Sequence, residues 1–91
     1  MATDQSITLI TGAGRGLGAA IARSFAREGA RVVINYRHSK EAAEKLVAEL
    51  GDRAIAVQAD VQDSDAVTAM VVQIADTIGP VTTVVHNALA D

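Results

Sequence analysis

The stretch that decides the fold of this chain is Thr11-Gly12-Ala13-Gly14-Arg15-Gly16-Leu17-Gly18. It follows the apolar run Ile7–Ile10 and leads into a helical pattern that starts near Leu17. Glycines placed between a strand and a helix destabilise both elements, because glycine loses more backbone freedom on folding than any other residue. A ligand compensates for this loss, since a backbone without side chains approaches an anion closely and the free N–H groups of a helix N-terminus point at it. The stretch therefore predicts a phosphate-binding loop.

Composition narrows the class of protein. The chain has 91 residues, 49% of them hydrophobic, a net charge of −3 and no cysteine. This length indicates one small domain, the acidic balance gives no electrostatic footprint for nucleic acid, and the lack of cysteine excludes disulfides and thiolate metal sites. The N-terminus does not have the pattern of a signal peptide, and no apolar run approaches the roughly 20 residues of a membrane span. We therefore expect a cytoplasmic protein that binds neither nucleic acid nor membrane.

Hydrophobic periodicity predicts alternating strands and helices. The apolar runs predict strands at Ile7–Thr11, Arg31–Tyr36, Ala54–Gln58 and Val81–His86. Between them lie segments of helical spacing, whose apolar faces are Leu17, Ala20, Ile21, Ser24 and Phe25; then Ala43, Leu46, Val47 and Leu50; then Val67, Met70, Val71, Ile74, Ala75 and Ile78. The expected helix caps are Ser39 and either Asp63 or Ser64, and the expected stops are Gly29, Gly51 and Gly79-Pro80.

The order β-α-β-α-β-α-β predicts a doubly wound α/β fold. Strands joined by helices of this length run parallel, with right-handed crossovers. Helices then cover both faces of a sheet whose strands lie in the spatial order 3-2-1-4. Ligands bind such a sheet beyond the carboxyl ends of its strands, where the winding reverses between strands 1 and 4. Gly12 and Asn87 follow these two strands, so we expect them to meet in one crevice.

The glycine spacing distinguishes between classes of phosphate loop. A P-loop is excluded, because the sequence has no Gly-Lys-Ser/Thr to reach a terminal phosphate and Mg²⁺. Gly12, Gly16 and Gly18 give the pattern Thr-Gly-x-x-x-Gly-x-Gly, which resembles the coenzyme loop of the short-chain dehydrogenases/reductases. Asp60-Val61, after the third strand, resembles that family's adenine-contacting Asp-Val. His86-Asn87-Ala88-Leu89, after the fourth strand, resembles its Asn-Asn-Ala-Gly, although the first and last positions differ here.

This resemblance implies a Rossmann-like fold and a set of coenzyme contacts. Ile7 to Ala90 align with the amino-terminal coenzyme half of such an enzyme, and Ile34-Asn35-Tyr36-Arg37 together with the loop is nearest to the 3-oxoacyl-(acyl-carrier-protein) reductases. Residues 1–91 are therefore expected to form a dinucleotide-binding domain, the amino-terminal part of a longer single-domain reductase that is a homo-oligomer. The residues expected to bind the coenzyme are Gly12, Gly14, Arg15, Gly16, Leu17, Gly18, Tyr36, Arg37, Asp60, Val61, Asn87 and Ala88.

The end of the second strand indicates which dinucleotide is bound. An NAD site has a carboxylate about 20 residues after the loop, which accepts hydrogen bonds from the ribose 2′-hydroxyl. Here no acid occurs before Glu41, and Arg37 lies in that region instead. An arginine grips a 2′-phosphate with its planar fork, and the resemblance to NADP-preferring members of the family implies that Arg15 reaches the same phosphate from the other side. We therefore expect NADP(H) to be preferred over NAD(H).

Catalytic residues are not identified in this sequence. The resemblance implies hydride transfer between nicotinamide and a carbonyl or alcohol, such as a 3-oxoacyl thioester, with a serine, a tyrosine acid/base and a lysine four residues after the tyrosine. Tyr36 and Lys40 have this spacing. They are expected on a strand end and after a helix cap, beside the adenosine ribose, so we assign them no catalytic role. No metal site is predicted, because His38 and His86 have no second ligand at a useful spacing.

Two interpretations of the chain stay open. In the first, the 91 residues are the coenzyme half of a reductase whose catalytic serine, tyrosine and lysine follow Asp91. In the second, they are a stand-alone module that binds a dinucleotide without catalysis. Whether the 91 residues alone are an enzyme is left undecided by the sequence.

Overall fold

A computed structural model describes residues 6–14 and 16–87 of the chain. The strands are β1 (Ile7–Ile10), β2 (Arg31–Tyr36), β3 (Ala54–Gln58) and β4 (Thr83–Val85). The helices are α1 (Gly16–Arg27), α2 (Lys40–Leu50) and α3 (Ser64–Thr77), with a 3₁₀ turn at Gly51–Arg53 before β3. The predicted alternation of strands and helices is confirmed, and the 3₁₀ turn is an addition to it.

The strands form one parallel sheet in the order β3-β2-β1-β4, which confirms the predicted doubly wound order. β1 is paired along its length with β2, from Ile7 opposite Arg31 to Ile10 opposite Ile34. All of β1 is buried. Strands with helices on both faces bury both rows of side chains, which is why β1 and β2 are continuous apolar runs rather than alternating ones.

Each face of the sheet has its own apolar core. On one face α1 and α2 pack on the sheet, and the buried cluster there consists of Ile10, Ala13, Ala19, Ala22, Val32, Ile34, Ala43 and Leu46. On the other face α3 packs alone, and the cluster consists of Ile7, Leu9, Val33, Val57, Ala59, Met70 and Ile74. Successive residues of β2 alternate between the two clusters, as the pleat of a strand requires.

Helix α1 meets the sheet through small residues rather than through the predicted apolar face. Its buried residues are Gly18, Ala19 and Ala22. Leu17 is 69% exposed and Ala20 is also exposed, while Ile21 and Phe25 pack against the margin of the core. Ser24 is exposed as well, so the expectation that Leu17, Ala20 and Ser24 belong to the core-facing stripe was wrong. Gly18 lies in close contact with the loop, and this close approach turns the smallest side chains inward, a constraint that hydrophobicity alone does not report.

The other two helices begin and pack largely as predicted. Asp63 caps α3, since its Oδ1 accepts from the amides of Asp65 at 3.0 Å and Ala66 at 3.3 Å. Ser39 stands at the N-cap position of α2 without a side-chain capping bond. Two residues of each predicted apolar face are buried, Ala43 and Leu46 in α2, Met70 and Ile74 in α3. Val71 is 39% exposed and Ala75 is also exposed, so the expectation that they belong to the core-facing side of α3 was wrong, because α3 packs alone on its face of the sheet and buries only a narrow stripe.

Strand β4 is shorter than the predicted Val81–His86, and Thr82 explains where its ladder begins. The Thr82 hydroxyl accepts from the Ile7 amide at 3.0 Å, while the Thr82 amide donates to the Ile7 carbonyl at 2.9 Å. One residue thereby satisfies both backbone groups of Ile7, and regular pairing starts only at Thr83. Within residues 6–14 and 16–87, no helix has the length and apolar character needed to cross a membrane.

Candidate functional site

The glycine loop lies at the carboxyl end of β1 and turns into α1. Gly12 and Gly16 have φ angles of +62° and +64°, a region that L-residues with a side chain enter only at a cost. The loop is anchored below by β2, because the Ala13 amide donates to the Asn35 carbonyl at 3.0 Å. The first amides of α1 have no intrahelical acceptor and carry the positive end of the helix dipole. This geometry is compatible with the phosphate-binding loop that the sequence predicts, and anion binding there stays a prediction.

Gly14 and Gly18 are needed for close packing rather than for an unusual backbone angle. A Cβ atom on Gly18 would lie 2.6 Å from Asn87 Nδ2 and 2.7 Å from the Gly12 carbonyl oxygen. A Cβ atom on Gly14 would lie 3.3 Å from the Cβ of Ser39. The loop is thus pressed against the residue after β4 on one side and the connection between β2 and α2 on the other.

The predicted meeting of Gly12 and Asn87 occurs in the structure. The Asn87 side chain donates to the Gly12 carbonyl at 3.2 Å, and its amide donates to the Thr11 hydroxyl at 2.9 Å. His86 Nδ1 lies 3.3 Å from the same hydroxyl, so His86 makes a polar contact at the end of the sheet. These contacts fix the point where the winding of the sheet reverses.

The segments after β2 and β3 form the second part of the crevice. Arg37 Nη2 lies 3.5 Å from Asp60 Oδ2, and both side chains are partly exposed, 50% and 36%. The Ala59 amide donates to the Tyr36 carbonyl at 3.0 Å and Gln58 donates to the Arg37 carbonyl at 3.0 Å. Asp60 Oδ1 also accepts from the Gln62 amide at 2.9 Å. Two of the predicted contacts, Arg37 and Asp60, are therefore brought together as an ion pair, a pairing that the sequence did not predict.

The structure describes some of the remaining predicted coenzyme contacts but not others. Tyr36 and Val61 are half-buried, with Tyr36 packed against the cluster under α1 and α2. Leu17 is exposed at the start of α1. Arg15 and Ala88 lie outside the described residues, so their predicted contacts stay predictions.

Asn35 is a buried polar residue next to the glycine loop that was not among the residues predicted from the sequence. It is 2% exposed, and its Oδ1 accepts from the Gly12 amide at 3.3 Å while its Nδ2 donates to the carbonyls of Val57 at 3.4 Å and Ala59 at 3.2 Å. Asparagine is disfavoured in strands, and here it continues the buried run Val32–Ile34. A polar residue in an otherwise apolar strand was the feature of the sequence that could have identified Asn35.

The spacing of Tyr36 and Lys40 has no helical context. Tyr36 is the last residue of β2 and Lys40 the first of α2, so the two side chains do not project from one helix. In the described part of the chain, no group of three or more His, Cys, Asp or Glu residues is arranged to hold a metal ion.

Comparison with known protein families gives a match over almost the whole chain. A family model described as short chain dehydrogenase matches residues 6–90. A versicolorin reductase from Emericella nidulans is 50% identical over 88 residues, which are 93% of this chain and 33% of the relative. The 3-oxoacyl-[acyl-carrier-protein] reductase FabG of Staphylococcus aureus is 43% identical over 83 residues, 88% of this chain and 34% of the relative.

The solved structures that superpose on this chain include a short chain dehydrogenase and a 3-ketoacyl reductase. A short chain dehydrogenase from Bacillus anthracis superposes with a TM-score of 0.87 at 36% identity, covering 96% of this chain and 36% of the other. A 3-ketoacyl-(acyl-carrier-protein) reductase from Brucella melitensis, complexed with NADH, superposes with a TM-score of 0.81 at 42% identity, covering 87% of this chain and 32% of the other. The chain therefore spans about a third of the length of the proteins that it matches.

Proposed function

This chain belongs to the short-chain dehydrogenase family, and on that premise we propose that it forms the NADP(H)-binding part of a carbonyl reductase. The observation that carries the proposal is the junction of the glycine loop, the start of α1 and Asn87 at the reversal point of the sheet. A junction of this kind binds dinucleotides in doubly wound sheets. Residues 1–91 would then be the amino-terminal portion of a longer single-domain enzyme.

The residues present fit a dinucleotide pyrophosphate. The space over Gly16 is open, because a Cβ atom placed there meets no other atom within 4 Å. The amides of the first turn of α1 have no intrahelical acceptor and favour negative charge at this end of the helix. Gly12 and Gly18 let the backbone come close to Asn87, and Asn87 would thereby border the nicotinamide-side ribose. When bound, the dinucleotide supplies the hydride, while this chain orients it.

The preference for NADP(H) rests on the adenosine side of the crevice. The Arg37 guanidinium is half-exposed at the end of β2 and its described carboxylate neighbour is Asp60, at 3.5 Å. A pair of partly exposed groups at this distance is weak, so a dianionic 2′-phosphate competes with Asp60 for the same guanidinium. Arg15 would contribute a second cation. The Brucella relative was solved with NADH, and both coenzymes therefore belong in the test.

Arg37→Asp tests this coenzyme preference. Loss of a charge-assisted bond worth about 1.5–3 kcal/mol should raise the Kd for NADPH about tenfold or more, with little change for NADH. Titration calorimetry of the protein from its complete reading frame measures both constants. Arg27→Asp makes the same charge change at the far end of α1 and should leave both affinities near the wild-type values. Tighter binding of NADH than NADPH by the wild-type protein, or an unchanged NADPH affinity in Arg37→Asp, would refute the preference.

The proposed substrate is a carbonyl compound such as a 3-oxoacyl thioester. Two relatives named as 3-oxoacyl or 3-ketoacyl reductases support this class. The deciding observation is the reading frame after the codon for Asp91: a serine and a helical Tyr-x-x-x-Lys there would support the reductase, and a stop codon would favour a stand-alone binding module. The 91 residues alone should not oxidise NADPH with a 3-oxoacyl thioester in a spectrophotometric assay, because we assign Tyr36 and Lys40 no catalytic role. Measurable turnover would overturn that assignment.

A further inference from the structure

Asn35 is a buried polar residue at the point where the two parts of the crevice meet. Its Oδ1 faces the Gly12 amide, and its Nδ2 faces two carbonyls, those of Val57 and Ala59. A primary amide has an acceptor and two donors on one planar group, and all three are used here. The environment also fixes the orientation of the amide, because the reverse orientation would set its oxygen against two carbonyl oxygens.

The partners of Asn35 belong to different parts of the site. Gly12 is the first glycine of the loop proposed to hold the pyrophosphate. Ala59 directly precedes Asp60, whose carboxylate borders Arg37 on the adenosine side. The Asn35 main chain adds a further bond, accepting from the Ala13 amide at 3.0 Å. One residue therefore holds two successive loop amides and the segment after β3.

We infer that Asn35 is a positioning residue for the coenzyme, whose side-chain amide sets the spacing between the glycine loop and the segment that follows β3. This inference rests on the proposed function. The Gly12 and Ala13 amides are both occupied by Asn35, so the phosphate is left to the amides at the start of α1. Asn35 holds the loop in this form before the coenzyme arrives, and such preorganisation improves affinity by reducing the ordering that binding requires.

Other side chains at this position would not reproduce the contacts. An aspartate carboxylate has no donor for Val57 and Ala59, and a leucine leaves three buried backbone groups without the partner they have now. Val33 provides a matched control on the same strand. It is fully buried and packs in the same cluster beside Met70, which also lies 3.5 Å from Asn35 Nδ2 through its sulfur. Val33→Ala thus disturbs the same core without removing a bond to the loop.

The experiment compares Asn35→Ala, Asn35→Thr and Val33→Ala in the protein expressed from its complete reading frame. Threonine favours strands, so we expect Asn35→Thr to fold even if Asn35→Ala does not. The threonine side chain lacks both terminal amide atoms of asparagine. NADPH binding is titrated at a temperature well below each melting transition. Both Asn35 variants should bind NADPH about tenfold more weakly, as expected for loss of a preorganising hydrogen-bond network, whereas Val33→Ala should stay within about twofold at a similar melting temperature.

Amide exchange in protein labelled with [¹⁵N]glycine reports the anchoring directly. In the coenzyme-free wild-type protein the Gly12 amide should exchange slowly and the amide of Gly16, exposed at the start of α1, rapidly. The Asn35 variants should lose protection at Gly12. Should neither variant fold, the wild-type comparison still decides, since equal exchange at Gly12 and Gly16 would contradict the inference and slow exchange at Gly12 supports it.

Failure of this inference is distinguishable from failure of the proposed function. A wild-type protein that binds neither NADPH nor NADH removes the proposed function, and the inference with it. A wild-type protein that binds NADPH, with Asn35 variants that bind equally well or lose no more than Val33→Ala, removes the inference alone.

Discussion

The two flanks of the sheet hold the crevice by different means. On the β2 flank, formed by β2, β3 and α2, strands pair over most of their length and Val32 to Asn35 are buried in succession. On the β4 flank, formed by β4 and Asn87, the strand has three residues and Val84 is 60% exposed. The β2 flank depends on apolar burial, whereas the β4 flank depends on a few polar contacts around Thr11, Gly12 and Thr82. Within residues 6–14 and 16–87, burial therefore supports the β2 flank more than the β4 flank.

Truncation of one side chain on each flank should give the largest contrast. Ile34 is fully buried in β2, so Ile34→Ala should lower the free energy of unfolding by about 2–5 kcal/mol through lost burial and a cavity. Val84→Ala on β4 should change it by less than about 0.5 kcal/mol. Urea denaturation monitored by circular dichroism measures both. Similar losses for the two variants would show that β4 is better covered than its exposure indicates.

The second largest effect concerns the contact of Gly18 with Asn87, Gly12 and Ala13, which we call the seam, where the two flanks meet. In Gly18→Ala the new methyl group would overlap Asn87 Nδ2, the Gly12 carbonyl and Ala13 Cα, at 2.6, 2.7 and 2.8 Å. We expect a loss of about 1–3 kcal/mol from overpacking, accompanied by weaker NADPH binding because the loop must shift.

Gly51→Ala is the control for this seam. Its backbone angles, φ +75° and ψ −143°, strain any side chain, but a Cβ atom there meets nothing within 4 Å, so the substitution should cost about 1–3 kcal/mol and leave NADPH affinity unchanged. Stability comes from denaturation and affinity from titration. Unaltered NADPH binding in Gly18→Ala would mean that the seam tolerates displacement.

The smallest effect is expected on the surface of the β2 flank, where Arg23 of α1 meets Glu49 of α2. Arg23 Nε lies 2.7 Å from Glu49 Oε2, and the hydrogen bond from Arg23 holds the pKa of Glu49 below its ordinary value of 4.5. A lowered folded-state pKa contributes stability above the unfolded-state pKa, and that contribution is lost as pH falls through the folded-state pKa. Both side chains are about half exposed, so the effect on stability is small and is screened by salt.

A carbon-detected NMR titration of the Glu49 carboxyl group measures this shift. The midpoint should lie below 4.5 in the wild-type protein and return toward 4.5 in Arg23→Ala. A midpoint unaffected by Arg23→Ala would show that the pair does not persist in solution.

The sequence predicted the fold well because its signals are local or periodic. The strands β2 and β3, a cap at Asp63 or Ser64 and the strand order follow from apolar runs, turn residues and the handedness of crossovers. The face of α1 could not be predicted in this way, since Gly18 is buried against the glycine loop and Asn87, and Asn87 is far away in the chain. The start of β4 likewise depends on the Thr82 hydroxyl replacing a backbone partner for Ile7.

The sequence predicted where the glycine loop lies in the fold, but it did not predict the side-chain contacts around the candidate site. The positions of Gly12 and Asn87 at neighbouring strand ends follow from topology, and their contact is confirmed. The ion pair of Arg37 with Asp60 and the bonds of Asn35 depend on side-chain directions after folding. Periodicity assigns such residues to a strand or a loop without stating which neighbour they bind.

The contacts of Asn87 with Thr11 and Gly12 join residues 76 and 75 positions apart. Contacts of such long sequence separation form late, because closing a long segment costs entropy before any contact is gained. During synthesis the glycine loop is translated well before β4, yet its backbone acquires its final support only when residue 87 has followed. We therefore expect nascent chains that end before β4 to make no stable complex with a dinucleotide, so that the function of this loop depends on a segment translated much later than the loop itself.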